Sequence, residues 1–243
     1  GRGGELRHCT TCGIDRLGDA LQTELAAMGV EPGRVAIVHA GGCAAEAVER
    51  VEAERHRVPL GGALPFALGL QTSRPERFVI VLLGDGDAAG VGGNHLLHAA
   101  RRGDPVRALV VNNEVLSSTG GFPSPTTPRG GRTPATPRGS TAEGLDLCAL
   151  AHVAGAAWVG REVIGAGEPL HRLLREFLAA DPFAFLEVRA PCFPVLGPMG
   201  GYATPEAMLD ALERRAVRGG APVPAEPERF SVGRLWPPAE ESR

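Results

Sequence analysis

The sequence predicts an α/β fold, a doubly wound and mostly parallel sheet, and two observations carry that reading. Segments of helical period alternate along the chain with short apolar runs, the order that builds parallel strands with crossover helices. The runs at 78–83 (FVIVLL) and 108–111 (ALVV) are apolar without a break, as in strands buried on both faces. In chain order, residues 16–28 put Leu17, Leu21, Leu25 and Met28 on one helical face. A short strand is expected at 35–38 and a helix at 44–54. After the strand at 78–83 come a helix at about 93–102 and the strand at 108–111. Helices at 145–154 and 169–179 then lead to a last strand at 183–188.

Two stretches break the pattern. Residues 113–144 are rich in Gly, Pro, Ser and Thr and carry an internal echo, Thr127-Pro128-Arg129-Gly130 against Thr136-Pro137-Arg138-Gly139. A loop this long within a compact domain is functional or disordered. From about 219 onward the chain is rich in Pro, Glu and Arg, and is expected to wrap over a partner or fray. The expected division is therefore a domain at 1–218 and a tail at 219–243.

The 243 residues suffice for a sizeable core. A formal net charge of -3 gives no electrostatic case for nucleic acid or an anionic membrane. No apolar run approaches the roughly 20 residues needed to cross a bilayer. The chain opens on Gly1 without a signal-peptide pattern, so a cytoplasmic setting is expected. All 25 residues counted as Lys+Arg are arginine, which excludes a Schiff-base or P-loop lysine. Five cysteines without a secretory signal favour metal or redox chemistry over a disulfide scaffold.

Gly84-Asp85-Gly86-Asp87 directly follows the apolar run at 78–83. Ligands of doubly wound sheets sit beyond the carboxyl ends of the strands, so Asp85 lies where one is expected. The flanking glycines let backbone approach a phosphate closely. A carboxylate repels bare phosphate unless a divalent cation stands between them, and Mg²⁺ is held by one or two carboxylates plus substrate phosphates. The next strand ends in Asn112-Asn113, with Asn113 at 28 positions beyond Asp85. A dinucleotide reading is poor: Gly84, Gly86 and Gly90 give GxGxxxG, and no helix is expected to start inside that turn.

Strand, GDG, helix, strand and NN at this spacing resemble the diphosphate-binding motif of thiamine diphosphate enzymes. The resemblance implies a thiamine diphosphate-binding fold, with Asp85, Asn113 and the carbonyl of Val115 as Mg²⁺ ligands. Gly84, Gly86 and Asp87, with Gly41 and Cys43 after the first strand, complete the cofactor-binding candidates. The segments GDGDAAGVGGNHLLHAARR (84–102) and NNEVLSSTGGFPSPTTPRGGRTPATPRG (112–139) sharpen it. They look like the β subunit of 2-oxoacid:ferredoxin oxidoreductases, over roughly residues 8–195.

Cys9 and Cys12 form a CxxC, Cys43 follows Gly41-Gly42, and Cys192 follows Ala190-Pro191. Four thiolates converging at one sheet edge suit a [4Fe–4S] cluster or an all-thiolate zinc site. Alone, the CxxC favours zinc or a redox dithiol. The resemblance implies the cluster, on Cys9, Cys12, Cys43 and Cys192. Cys148 sits within an apolar helix and reads as core.

The resemblance also implies oxidative decarboxylation of a 2-oxo acid, coenzyme A as acyl acceptor, ferredoxin or a similar electron acceptor, and an α-type partner subunit. Ser117, Ser118 and Thr119 occupy the loop that in relatives passes close to the reactive carbon. Three departures stand out: Glu46 in place of a basic residue, Leu60-Gly61-Gly62 in place of His-Gly-Arg, and Phe122 in place of glutamine. Two rival readings stand beside this one, a non-oxidative thiamine diphosphate decarboxylase and a non-catalytic subunit with a four-cysteine zinc site. His95 and His98 read as helix-packing residues. Arg101-Arg102 read as a helix C-terminus complementing the dipole. Arg129, Arg132 and Arg138 are candidate anion contacts or solvated loop charges.

Overall fold

The computed structural model describes residues 12–219 and 229–237. Ten strands and seven helices are labelled in chain order: α1 (Ile14–Ala27), β1 (Val35–His39), β2 (Glu54–Arg57), α2 (Ala63–Ser73), β3 (Phe78–Gly84) and α3 (Gly93–Arg102). They continue with β4 (Arg107–Asn112), the short ribbon β5 (Val115–Leu116) and β6 (Phe122–Pro123), α4 (Leu147–Ala154), β7 (Trp158–Val163) and α5 (Glu168–Ala179). The last are β8 (Ala184–Arg189), α6 (Phe193–Gly200), α7 (Pro205–Arg214), β9 (Ala216–Arg218) and β10 (Phe230–Trp236). The main sheet runs β2-β1-β3-β4-β8-β7-β10-β9, parallel throughout except where β10 lies antiparallel to β7. The doubly wound, mostly parallel sheet is thus borne out.

Side chains of a strand point alternately to its two faces. In β3, Ile80 and Leu82 join α1, α5 and residues 43–50 on one side, while Val79, Val81 and Leu83 join α2, α3 and α4 on the other. Both faces are covered, which is why the strand reads as one apolar run. Each fully buried Leu, Ile or Phe contributes roughly 1.5–3 kcal/mol, and the two clusters hold the sheet between them. In α1, Leu17, Leu21 and Leu25 are buried as expected, but Met28 lies just past the helix end and is exposed.

Three other expectations need correction. The helix expected at 44–54 is a run of tight 3-10 turns, Cys43–Arg50, and the chain then becomes β2. Val51 turns to extended backbone, and burial in β2 alternates with a period of two, so its charged residues form an edge strand on β1. The 43–50 segment packs so closely on α1 that a Cβ at Gly18 would lie 2.4 Å from the Ala47 carbonyl. The turn after β3 does start a helix: Gly86–Val91 winds as a π-turn, closed by Gly92 N–H donating to the Asp87 carbonyl (2.8 Å), and runs into α3. Phe230–Trp236, inside the stretch expected as a tail, is β10 of the sheet. Residues 113–144 are a folded loop, in which the two echo glycines meet: a Cβ on Gly139 would touch the Gly130 carbonyl at 2.8 Å.

The parallel strands carry buried charges, among them a connected set around Glu187. Arg161 of β7 donates from Nε to Glu187 of β8 (2.5 Å) and also bonds Asp146, just before α4. Asn112 Nδ2 donates to the other Glu187 oxygen (2.6 Å). Burial alone would raise the Glu187 carboxyl, but the charges of Arg161 and Arg189 and these hydrogen bonds hold it at about 2. Its stabilisation is therefore complete above its ordinary 4.5 and is lost as the pH falls toward about 2. Denaturant unfolding across that interval should show this loss, and Glu187→Gln should abolish it. The same variant should lower stability by about 3–5 kcal/mol at neutral pH, because Arg161 is left buried beside an uncharged amide.

Candidate functional site

From β1 the chain crosses to β2 on one side, whereas after β3 it proceeds to β4 on the other. The loops after β1 and β3 therefore part, leaving a crevice at the carboxyl end of the sheet where ligands of such folds bind. A cavity of about 270 Å³ opens there. Gly41 and Cys43 reach it from the β1 loop, and Gly84, Asp85, Gly86 and Asp87 from the β3 loop. The β4 loop supplies Asn113, Val115, Ser117, Ser118 and Thr119. The expected cofactor-binding and catalytic residues thus line one wall-to-wall site. Ser117 is half-buried, and Ser118 and Thr119 are exposed.

Asp85 is 4% exposed and Asp87 is 6% exposed. The Thr126 hydroxyl lies 2.8 Å from Asp85 Oδ2. Burial pushes the Asp85 carboxyl up to about 6 against hydrogen bonds from Ser124, Thr126 and the Gly86 backbone, and the like charge of Glu114 adds to the rise. Asp87 accepts from the Gly61 N–H at Oδ1 (2.5 Å), while its Oδ2 is buried without a partner. Its carboxyl is likewise raised by burial. Among the described residues neither carboxylate has an ion-pair partner.

A buried carboxylate without a cation is costly, and here it is joined by further hard oxygen donors. Asn113 sits half-buried, its Oδ1 accepting weakly from Val115 N–H (3.3 Å) and its Nδ2 3.4 Å from Ser117 Oγ. Oxygen donors around one or two carboxylates suit Mg²⁺ completed by phosphate oxygens. The residues present therefore fit a magnesium diphosphate.

Cys43 Sγ lies 3.3 Å from Ser117 Oγ, so the third cysteine touches the expected catalytic loop. Cys192 caps α6 just after β8, and Cys12 precedes α1, where Gly13 packs against Ile164 at the end of β7. Cys12, Cys43 and Cys192 thus all stand near carboxyl ends of strands, but among the described residues their ligand atoms do not form a group within 4.8 Å of one another. Cys9 lies outside the described residues. Cys148 is fully buried, its Sγ donating to Glu187 at 3.3 Å, in keeping with a core role. Asp146, Cys148 and Glu187 have ligand atoms within 4.8 Å of one another, but the Arg161 guanidinium already bonds both carboxylates.

His95 is half-buried and His98 exposed on α3, so only the first packs. Arg102 pairs with Asp104 (2.6 Å) at the helix end. Arg129 pairs with Glu143, and Arg132 Nε donates to the Pro137 carbonyl (2.9 Å), so both are tied within their own loop. Sequence reasoning missed Thr126, Asn112 and Glu114. Glu114 takes a left-handed backbone, φ 60, and binds Arg189. The repeated hydroxyls of SPTTP beside an NN turn were the available signal.

Residues 51–188 match the family described as thiamine pyrophosphate enzyme, C-terminal TPP binding domain. The chain is similar to 2-oxoglutarate synthase subunit KorB of Methanocaldococcus jannaschii, with 30% identity over 86% of this chain and 77% of that one. It is 30% identical to the 2-oxoacid:ferredoxin oxidoreductase subunit beta of Saccharolobus solfataricus, over 76% of this chain and 61% of the relative. Its fold matches the 2-oxoglutarate:ferredoxin oxidoreductase from Magnetococcus marinus, solved with 2-oxoglutarate, coenzyme A and succinyl-CoA bound. The TM-score is 0.83 at 19% identity, over 99% of this chain and 84% of that one.

The raised Asp85 carboxyl has a measurable consequence. A group that binds its proton more tightly folded than unfolded weakens the fold as pH rises from 3.8 through about 6. Thermal unfolding without metal should show this, and Asp85→Asn should remove it, raising neutral-pH stability by up to about 3 kcal/mol.

Proposed function

The chain belongs to the β-subunit family of 2-oxoacid:ferredoxin oxidoreductases, thiamine pyrophosphate enzymes, and on that premise we propose that it forms the catalytic subunit of such an enzyme. With an α-type partner it oxidatively decarboxylates a 2-oxo acid, with coenzyme A as acyl acceptor and ferredoxin or a similar protein as electron acceptor. Thiamine diphosphate supplies the nucleophilic carbon for this chemistry when bound, and a [4Fe–4S] cluster accepts electrons singly.

This chain's part is to hold and orient. Asp85, Asn113 and the Val115 carbonyl would hold the divalent cation that the diphosphate needs, and Gly84 and Gly86 leave room for the phosphates. Gly41 and Asp87 close the sides of the cavity. Ser117, Ser118 and Thr119 face the reacting end, where Ser117 already contacts Cys43. Cys9, Cys12, Cys43 and Cys192 hold the cluster. One observation carries the reading: a cavity that joins uncompensated carboxylates to a cysteine through the loop between them.

The exposed side chains of Leu60 (58%) and Val91 (62%) at the cavity wall support a covering partner subunit. No helix among the described residues is long and apolar enough to cross a membrane. A cytoplasmic setting, where thiols stay reduced, completes the proposal.

Iron, sulfide and zinc measured on anaerobically purified heteromer test it. The expected result is about four iron and four sulfide per chain, with 2-oxo acid-dependent reduction of an acceptor that Asp85→Ala abolishes. One zinc and no iron would overturn the electron-transfer role.

A further inference from the structure

We propose that Thr126 is a positioning residue for Asp85, held in place by Ser124. The proposal rests on the reading of Asp85 as a metal ligand. Thr126 is 4% exposed and belongs to the long loop, 41 positions from Asp85 in sequence. Its Oγ1 lies 2.8 Å from Asp85 Oδ2 and 2.8 Å from Asn112 Oδ1.

The direction of these bonds follows from donor and acceptor chemistry. An ionised carboxylate only accepts, so the Asn112 amide must turn its NH₂ to Glu187, 2.6 Å away. That fixes the amide flip and leaves Asn112 Oδ1 facing Thr126. Asn112 Oδ1 is also served by the Glu114 N–H (3.0 Å). The single hydroxyl hydrogen of Thr126 is therefore free for Asp85, the stronger, charged acceptor. Ser124 Oγ, 3.0 Å from Thr126 Oγ1 and accepting from Thr126 N–H (3.3 Å), keeps the side chain in place.

Groups that hydrogen-bond a metal-ligating carboxylate set its orientation, and losing one costs 10–100-fold in metal affinity. The test uses the heteromer, with Mn²⁺ as the probe read by its paramagnetic resonance and thiamine diphosphate affinity read by calorimetry. Thr126→Val keeps the shape and deletes the hydroxyl, and should weaken both affinities about 10–100-fold, while Thr126→Ser should restore them to within about threefold of wild type. A purely structural role would lower the unfolding temperature without separating these two variants. Should the valine variant not fold, Thr126→Ala reads the same loss. Equal affinity in wild type and Thr126→Val, or a serine variant as weak as valine, would overturn the proposal. A wild type that binds neither Mn²⁺ nor thiamine diphosphate would instead overturn the metal-ligand reading of Asp85 beneath it.

Discussion

The site is organised by a carboxylate that has been taken out of water and given no cation. Asp85 sits at the end of β3 among hydroxyl neighbours, and the like charge of Glu114 adds to the rise of its carboxyl. Such an arrangement works against the fold when the carboxyl is charged, and a positive ligand would offset that cost. The surroundings follow from that need. Glycines flank the carboxylate, further oxygen donors come from the next loop, and a second buried carboxylate, Asp87, lies two residues on with one oxygen unpartnered. A cation fitted there would in turn draw a polyphosphate, which is how an acidic loop comes to bind an anion.

The sheet makes this possible by being rigid and apolar on both faces, so that polar groups concentrate at its ends. The exception is the Arg161–Glu187–Asn112 chain running through the sheet centre. Both Glu187 oxygens are hydrogen-bonded and its carboxyl stays charged, while Arg161 Nη1 is buried without a partner. Glu187 and Asp85 are therefore opposites: Glu187 is paired with Arg161 within the protein, while Asp85 has no ion-pair partner among the described residues. Of the departures, Leu60 lines the cavity beside Asp85, while Phe122 is exposed.

Much of this was legible in the sequence because the signals are local. FVIVLL announces a strand buried on both faces, and Asp85 and Asn113 follow such strands directly, so their meeting needs only the parallel topology. Less legible were features decided by distant partners. ERHR in β2 looks like a helix end until β1 pairs with it, and β10 is hidden in a Pro-rich surrounding because its partner β7 lies far back in the chain. Thr126 is one hydroxyl among several until the long loop folds back over Asp85. The placement of Cys43 after β1 and Cys192 after β8 likewise depends on strand order rather than on spacing.

The most direct test of this account is the cation dependence of cofactor binding. Thiamine diphosphate would be titrated into the anaerobic heteromer with Mg²⁺ and, separately, with a chelator present. The account predicts binding with Mg²⁺ and none that is measurable without a divalent cation, because the diphosphate would then face Asp85 and Asp87 directly. Equal affinity in the two titrations would contradict it.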